Sequence, residues 1–313
     1  MRVPEPAAVR IRYLLGAMQQ LHITMTLRTQ GVSDELGRMA EVASRWRQAA
    51  QRMQELVATE PGAADQVRVE EPPADLLPRL RQIEEDPLFK ASFSFVPPSF
   101  KLVEIDRLIA PQREVNLDYV DVLKARLRGR SLSELVEFCL VPRAEPPPVR
   151  CLQTAPSEVV FSSPSTDLRF LGGFPKPLDD RDMAVAHFGG QPVQVVALLI
   201  GFGSAPINVW AAGRRLVLHN GFHRIVALRS LGVERVPVVV QTAANPDIEF
   251  PEQIFGLSRS YLLQHPRPVL VRDFFDDALT VELRLKPRLR TLKLTWSPEL
   301  GVVPVDQGGN EAV

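Results

Sequence analysis

The stretch that decides the fold is Leu216-Val217-Leu218-His219-Asn220-Gly221-Phe222-His223-Arg224-Ile225-Val226-Ala227-Leu228-Arg229-Ser230-Leu231-Gly232, with Arg235-Val236-Pro237-Val238-Val239-Val240-Gln241 close behind it. Arg214 to His219 alternates in the manner of a strand, and glycine at 221 permits a sharp turn and close backbone approach. Phe222 to Leu231 reads as a helix, with Ile225, Leu228 and Leu231 on its buried side and Gly232 as the residue that closes it. Arg235 to Gln241 is a valine-rich strand of the kind buried on both faces. Strand, turn, helix and strand make a mixed α/β unit. The first-turn N–H groups of such a helix have no intrahelical partner and its dipole is positive there, so an anion is accommodated at that end. His223 and Arg224 add two hydrogen-bonding side chains at the same mouth.

Upstream, Val193 to Leu199 and Ile207 to Trp210 are apolar and partly β-branched, and both read as strands. Phe100 to Ile105 is a further strand, Val115 to Leu127 a helix and Ser131 to Cys139 another. Between them and the central block, residues 142–192 hold Pro146-Pro147-Pro148 and many Gly, Ser and Asp residues, and read as a loop-rich insertion. At the chain start, Ile11, Leu14, Met18, Leu21 and Met25 recur at helical steps. After Gly31 the pattern restarts with Leu36, Met39, Ala43, Trp46, Ala50, Met53 and Val57, with Ser33 as N-cap. These spacings predict an antiparallel helical hairpin over residues 1–60. Its seam packs either on the main domain or on a partner or second copy through residues 8–58. Residues 61–88 form a proline-rich linker with a short helix from Ala74 to Glu84, and the main domain spans 89–250. Residues 251–313 form a C-terminal appendage, with a helix from Pro251 to Leu263 and a β-hairpin from Thr280 to Trp296 turning near Pro287-Arg288. Arg284, Lys286, Arg288, Arg290 and Lys293 crowd that hairpin, either as a solvated face or as a strip that binds nucleic acid.

At Gly221-Phe222-His223-Arg224, Ala227-Leu228, Leu231-Gly232 and Val236-Pro237-Val238 the chain resembles the ParB/sulfiredoxin superfamily. Its members carry a Gly-x-His-Arg-type element at this strand-to-helix turn, then an Ala- and Leu-containing helix, a glycine and a Val-Pro-Val-type strand. Ile105 to Gln112, followed by the Val115 to Leu127 helix, is similar to the strand, Pro-Gln turn and helix that open such domains. The resemblance covers about 103–127 and 207–241. It implies an α/β fold with a mixed sheet of ParB/sulfiredoxin type. It also implies nucleotide phosphate binding by Asn220, Gly221, Phe222, His223, Arg224 and Gln112, with His223 as the catalytic residue. The nucleotide is ATP or CTP with Mg2+, in a hydrolase or a phosphoryl-transfer enzyme. The other reading is a non-catalytic interaction protein that keeps the fold as a platform. Sulfiredoxins place a reactive cysteine where this chain has Phe222, so sulfinic acid repair is not expected.

For each of these residues a plain structural role competes with the functional one. His223 either meets phosphate or satisfies a local hydrogen bond, and Arg224 either forks onto phosphate or onto a carboxylate. Gln112 either touches the ligand or holds its own turn, Glu114 and Asp118 are either metal or acid–base carboxylates or a solvated face, and His219 reads as structural. Among 313 residues, 45% are hydrophobic, 24% are charged and the net charge is zero, so disorder is excluded and bulk charge gives no pull toward polyanions. The two cysteines, Cys139 and Cys151, lack metal-ligand spacing and read as free thiols of a cytoplasmic protein. The longest apolar run, Val193 to Ile200, is too short to span a bilayer.

Overall fold

Val9-Arg10-Ile11-Arg12-Tyr13-Leu14 alternates side chains with a period of two, and in the computed structural model it is a strand rather than the start of a helix. The structure describes residues 8–302 other than 95, 128, 130, 142–145, 166, 181, 183–190 and 204–205. The Val9–Leu14 strand lies in the middle of a three-stranded antiparallel sheet, between Thr280–Leu285 and Glu114–Asn116, with Val9 opposite Leu285 and Ile11 opposite Asn116. The expected helical seam included Ile11 and Leu14, because their spacing also fits a helix. The distant Thr280–Leu285 strand resolves the ambiguity, since it offers Val281, Leu283 and Leu285 as partners on one buried face.

Two helices, Gln20–Gln30 and Met39–Thr59, follow and pack on this sheet through Ile23, Leu27, Val42 and Ala49 against Ile11, Tyr13, Val281 and Leu283. The seam is displaced from the expected one: Leu21 and Met25 are exposed, Met53 is buried as expected, and Val42, Ala49 and Leu56 are buried in place of Met39, Ala43, Ala50 and Val57. Trp46 is half-buried and its indole N–H donates to the Met18 carbonyl at 2.8 Å. Ser33 opens a four-residue helix whose N-cap is Val32, so it is not the cap of the long helix. Leu14, Met53 and Leu56 also belong to the main hydrophobic core. Residues 8–60 therefore supply the middle strand of this sheet and part of the core rather than a helical hairpin. Glu60, just past the long helix, accepts from Arg267 at 3.1 Å and from Arg272, and buried Arg267 forks onto Asp273 at 2.6 and 2.7 Å.

The main sheet is mixed and five-stranded, in the order Arg215–Asn220, Asn208–Ala212, Arg235–Thr242, Pro98–Glu104, Val69–Glu70. Arg235–Thr242 runs parallel to Asn208–Ala212 and antiparallel to Pro98–Glu104. The Phe222–Ser230 helix is buried nearly all round, with Phe222, Ile225, Val226, Ala227 and Leu228 in the core. Leu117–Arg126 packs beside it, and Ser131 opens Leu132–Leu140 with a capping box to Glu134. The expected Pro251 to Leu263 helix is instead two short strands, Gln253–Ile254 and Leu257–Ser258, then a helix Arg259–Gln264. Positive φ at Phe255 and Gly256 breaks it, and the Ser258 hydroxyl caps the helix by accepting from the Tyr261 N–H.

The chain divides into two compact units: 1–144 with 204–287, and 145–203 with 288–313. The expected loop-rich insertion carries strands: Arg150–Ala155, Glu158–Ser163 and Leu168–Pro177, the last paired with Gln194–Phe202. Nor is there a Thr280 to Trp296 hairpin. Thr280–Leu285 pairs with Val9–Leu14 in the larger unit, and Arg290–Thr295 pairs with Glu158–Ser163 in the smaller one. Arg284 and Lys286 thus belong to one unit and Arg288, Arg290 and Lys293 to the other, and Lys293 is ion-paired with Glu158. Among the described residues no helix is long and apolar enough to cross a membrane.

Deleting residues 1–60 should therefore unfold the larger unit, read as loss of its cooperative thermal transition by circular dichroism. Leu14→Ala in the full chain should lower stability by about 3 kcal/mol in urea denaturation, the ordinary cost of a buried cavity. A truncated chain that still melts cooperatively would put the N-terminal strand outside the core.

Candidate phosphate-binding site

The Arg215–Asn220 strand ends at a turn whose geometry only glycine meets. Gly221 has φ of 92°, and a Cβ built there would lie 2.7 Å from Ile207 Cγ1 and 3.2 Å from Ile207 Cα. Both the backbone conformation and the close approach of the neighbouring chain exclude other side chains. Asn220 secures the turn, its Oδ1 accepting from the Gly221 N–H at 2.8 Å. The helix starts at once with Phe222, so its first-turn amides point out of the strand end.

His223 is half-buried, and its Nε2 accepts from the Asn116 N–H at 3.2 Å, which places the ring proton on Nδ1. Its ring meets Tyr119 edge-on at 5.4 Å. Asn116 is itself the N-cap of Leu117–Arg126, its Oδ1 accepting from the Tyr119 N–H at 3.0 Å. His223 thus joins two helix N-termini, each with the positive end of its dipole at this spot. The segment carrying Gln112 arrives there too. Ile109 bridges Val217 in parallel and its carbonyl accepts from the Leu218 N–H at 2.9 Å, so the chain from 109 onward runs toward the same end as Asn220. Gln112 is half-buried.

Phe222 and Arg224 turn inward. Phe222 packs edge-to-face on Phe274 at 4.8 Å, so only its main chain belongs to the turn. Arg224 is 6% exposed, and its Nη1 donates to the Cys139 carbonyl at 3.1 Å and the Phe138 carbonyl at 3.4 Å. These are last-turn carbonyls of Leu132–Leu140, so the guanidinium caps the C-terminus of that helix. The side chain that the sequence singled out for phosphate therefore has a structural role. Asp118 is likewise engaged, accepting from Arg10 Nε at 2.7 Å and from the Arg10 N–H at 2.9 Å. Glu114 lies on the strand beside Val9–Leu14, and His219 is half-buried on its own strand. Among the described residues no three His, Cys, Asp or Glu side chains cluster as a metal site.

Asn116 and Tyr119 were not among the sequence-derived candidates. The signal for Asn116 was present, because asparagine directly before a helical stretch is an N-cap signature, but the helix was expected to start two residues earlier, at Val115. Comparison with family models, with curated proteins and with solved structures finds no match for this chain.

Cys139 is fully buried, and burial pushes its thiol up to about 12, against the opposing pull of the Arg224 charge. The thiolate is the reactive species, so Cys139 is inert near neutral pH. Cys151 is exposed on Arg150–Ala155.

Three outcomes are expected from this geometry. Iodoacetamide on the folded protein should modify Cys151 alone, and both thiols in urea, read by peptide mass spectrometry. A thiol raised from 9.0 toward about 12 in the folded state stabilises the fold below pH 9, and loses that contribution as pH rises through this window. The decline in stability over that range should shrink in Cys139→Ala. Arg224→Ala should cost about 2 kcal/mol, because it takes the guanidinium donor from the Phe138 carbonyl and leaves the Cys139 carbonyl with the Ile207 N–H alone; an unchanged urea midpoint would remove Arg224 from the helix cap.

Proposed function

We propose that this chain binds the phosphate of a nucleotide, ATP or CTP, at the Gly221 turn, in a domain of ParB/sulfiredoxin type. The observation that carries the reading is the meeting of two helix N-termini across the His223–Asn116 hydrogen bond, at a turn held open to main-chain approach by Gly221. Amides at such ends, with their dipoles aligned, favour a negatively charged group. Asn220, Gly221, the main chain of Phe222, His223 and Gln112 form the cradle, and Arg224 supports it from behind. The order strand, glycine turn, helix, strand, with Leu117–Arg126 alongside, supports the ParB-like assignment.

The geometry favours binding over catalysis. Arg224 is committed to the carbonyls of Phe138 and Cys139. The phosphates fit the donor set of the turn; Mg2+ would arrive on the nucleotide. When bound it would neutralise phosphate charge. His223 is the one side chain at the turn suited to moving a proton, which keeps a hydrolase or phosphoryl-transfer role attached to that residue alone.

A thermal-shift panel of ATP, CTP and inorganic phosphate, with and without magnesium, tests this reading. A ligand at 100 times its Kd should stabilise the protein by about 2.7 kcal/mol. His223→Ala should weaken binding roughly tenfold by calorimetry, the worth of one hydrogen bond to a charged group. No shift with any of these ligands would overturn the assignment.

A further inference from the structure

The smaller unit has almost no interior of its own. Among its described residues only Ser163 and Leu168 are buried. It consists of a three-stranded sheet and a separate two-stranded ribbon, Leu168–Pro177 with Gln194–Phe202. Two-stranded ribbons are marginal in water unless something covers them. This one is apolar on both sides. The pairings place Leu171, Phe174 and Leu199 on one face and Phe170, Val196 and Leu198 on the other, and all six are 42 to 68% exposed.

Charge narrows the choice of occupant. The Gln194–Phe202 strand contains no charged residue and no proline, so it lacks the side chains that keep sheet edges from pairing. The cations of the ribbon are already answered within it: Arg169 by Asp167, and Lys176 by Asp179 and Asp182. Among the described residues of the ribbon, a polyanion or an anionic lipid surface meets no cation without an acidic partner. A neutral strand is, however, compatible with itself, because two-fold pairing sets each residue against its own symmetry mate, and like charges would repel. Edge pairing satisfies the free backbone groups of Gln194–Phe202 and turns two marginal two-stranded ribbons into a four-stranded sheet, the size at which a sheet with apolar faces becomes stable.

We propose that the occupant is a second copy of this chain. The Gln194–Phe202 strands of two copies pair antiparallel about a two-fold axis near Leu198, which makes one continuous four-stranded sheet from two ribbons. This interaction surface is independent of the Gly221 turn and of the reading given to it.

Light scattering and sedimentation velocity on the full chain test the proposal. The expected result is a dimer whose dissociation constant rises roughly 100-fold in the Val196→Lys, Leu198→Lys double variant, with circular dichroism unchanged, because like charges then face each other across the axis. In a Cys151→Ser background, Leu198→Cys should cross-link under mild oxidation as a disulfide dimer, the two thiols losing two electrons and two protons to dissolved oxygen. A wild-type chain that stays monomeric at tens of micromolar overturns the proposal, as does a dimer indifferent to the lysine pair. Flotation of a wild-type monomer with neutral phosphatidylcholine vesicles, lost in the lysine variant, also overturns it and makes lipid the occupant.

Discussion

The carbonyl of Cys139 accepts from two donors, the Ile207 N–H at 2.7 Å and Arg224 Nη1 at 3.1 Å. The first bond joins the end of one helix to the start of the interior Asn208–Ala212 strand. It closes the gap across which the chain leaves the larger unit after residue 144 and re-enters it at 204. The second ties both ends to the helix that begins at Gly221. Ile207 is also the residue against which Gly221 sits, so one short stretch fixes the exit, the re-entry and the turn together. The strands between 145 and 203 can be inserted here because the scaffold on either side is pinned at this point.

That arrangement explains why the candidate site looks as it does. A guanidinium in the first turn of a helix would ordinarily be free to face a ligand, yet here it is spent on the end of a neighbouring helix. What remains at the mouth is main chain, an asparagine, a glutamine and a histidine oriented by Asn116. A site made of amides and neutral side chains selects by shape and by field rather than by paired charge.

The 207–241 block was legible because every cue in it is local: alternation, a glycine at the turn, a helix of fitting length, a second glycine and a run of valines. The first strand was not, since Ile11 and Leu14 satisfy helical spacing as well as alternation, and only partners beyond residue 280 decide between them. The insertion hid its strands among prolines and glycines, and the supposed C-terminal hairpin failed because its two strands, adjacent in sequence, serve different sheets. Gly221 and its turn could be read from the sequence. The direction of Arg224 could not, because the acceptors that draw it inward lie 85 and 86 residues away.

The pairing of Val9 with Leu285 carries a consequence in time. A ribosome extends a chain at roughly 5–20 residues per second, so the first strand waits on the order of 15–60 s for its partner. Until then the nascent chain can offer its first strand only the three-residue Glu114–Asn116 partner, and the apolar sides of two helices lack the face that Thr280–Leu285 completes. The protein is thus exposed to non-native association during its own synthesis, and non-local pairing of this kind also slows refolding from denaturant. Whatever shields the growing chain must act on residues 9–59 until the Thr280–Leu285 strand has emerged.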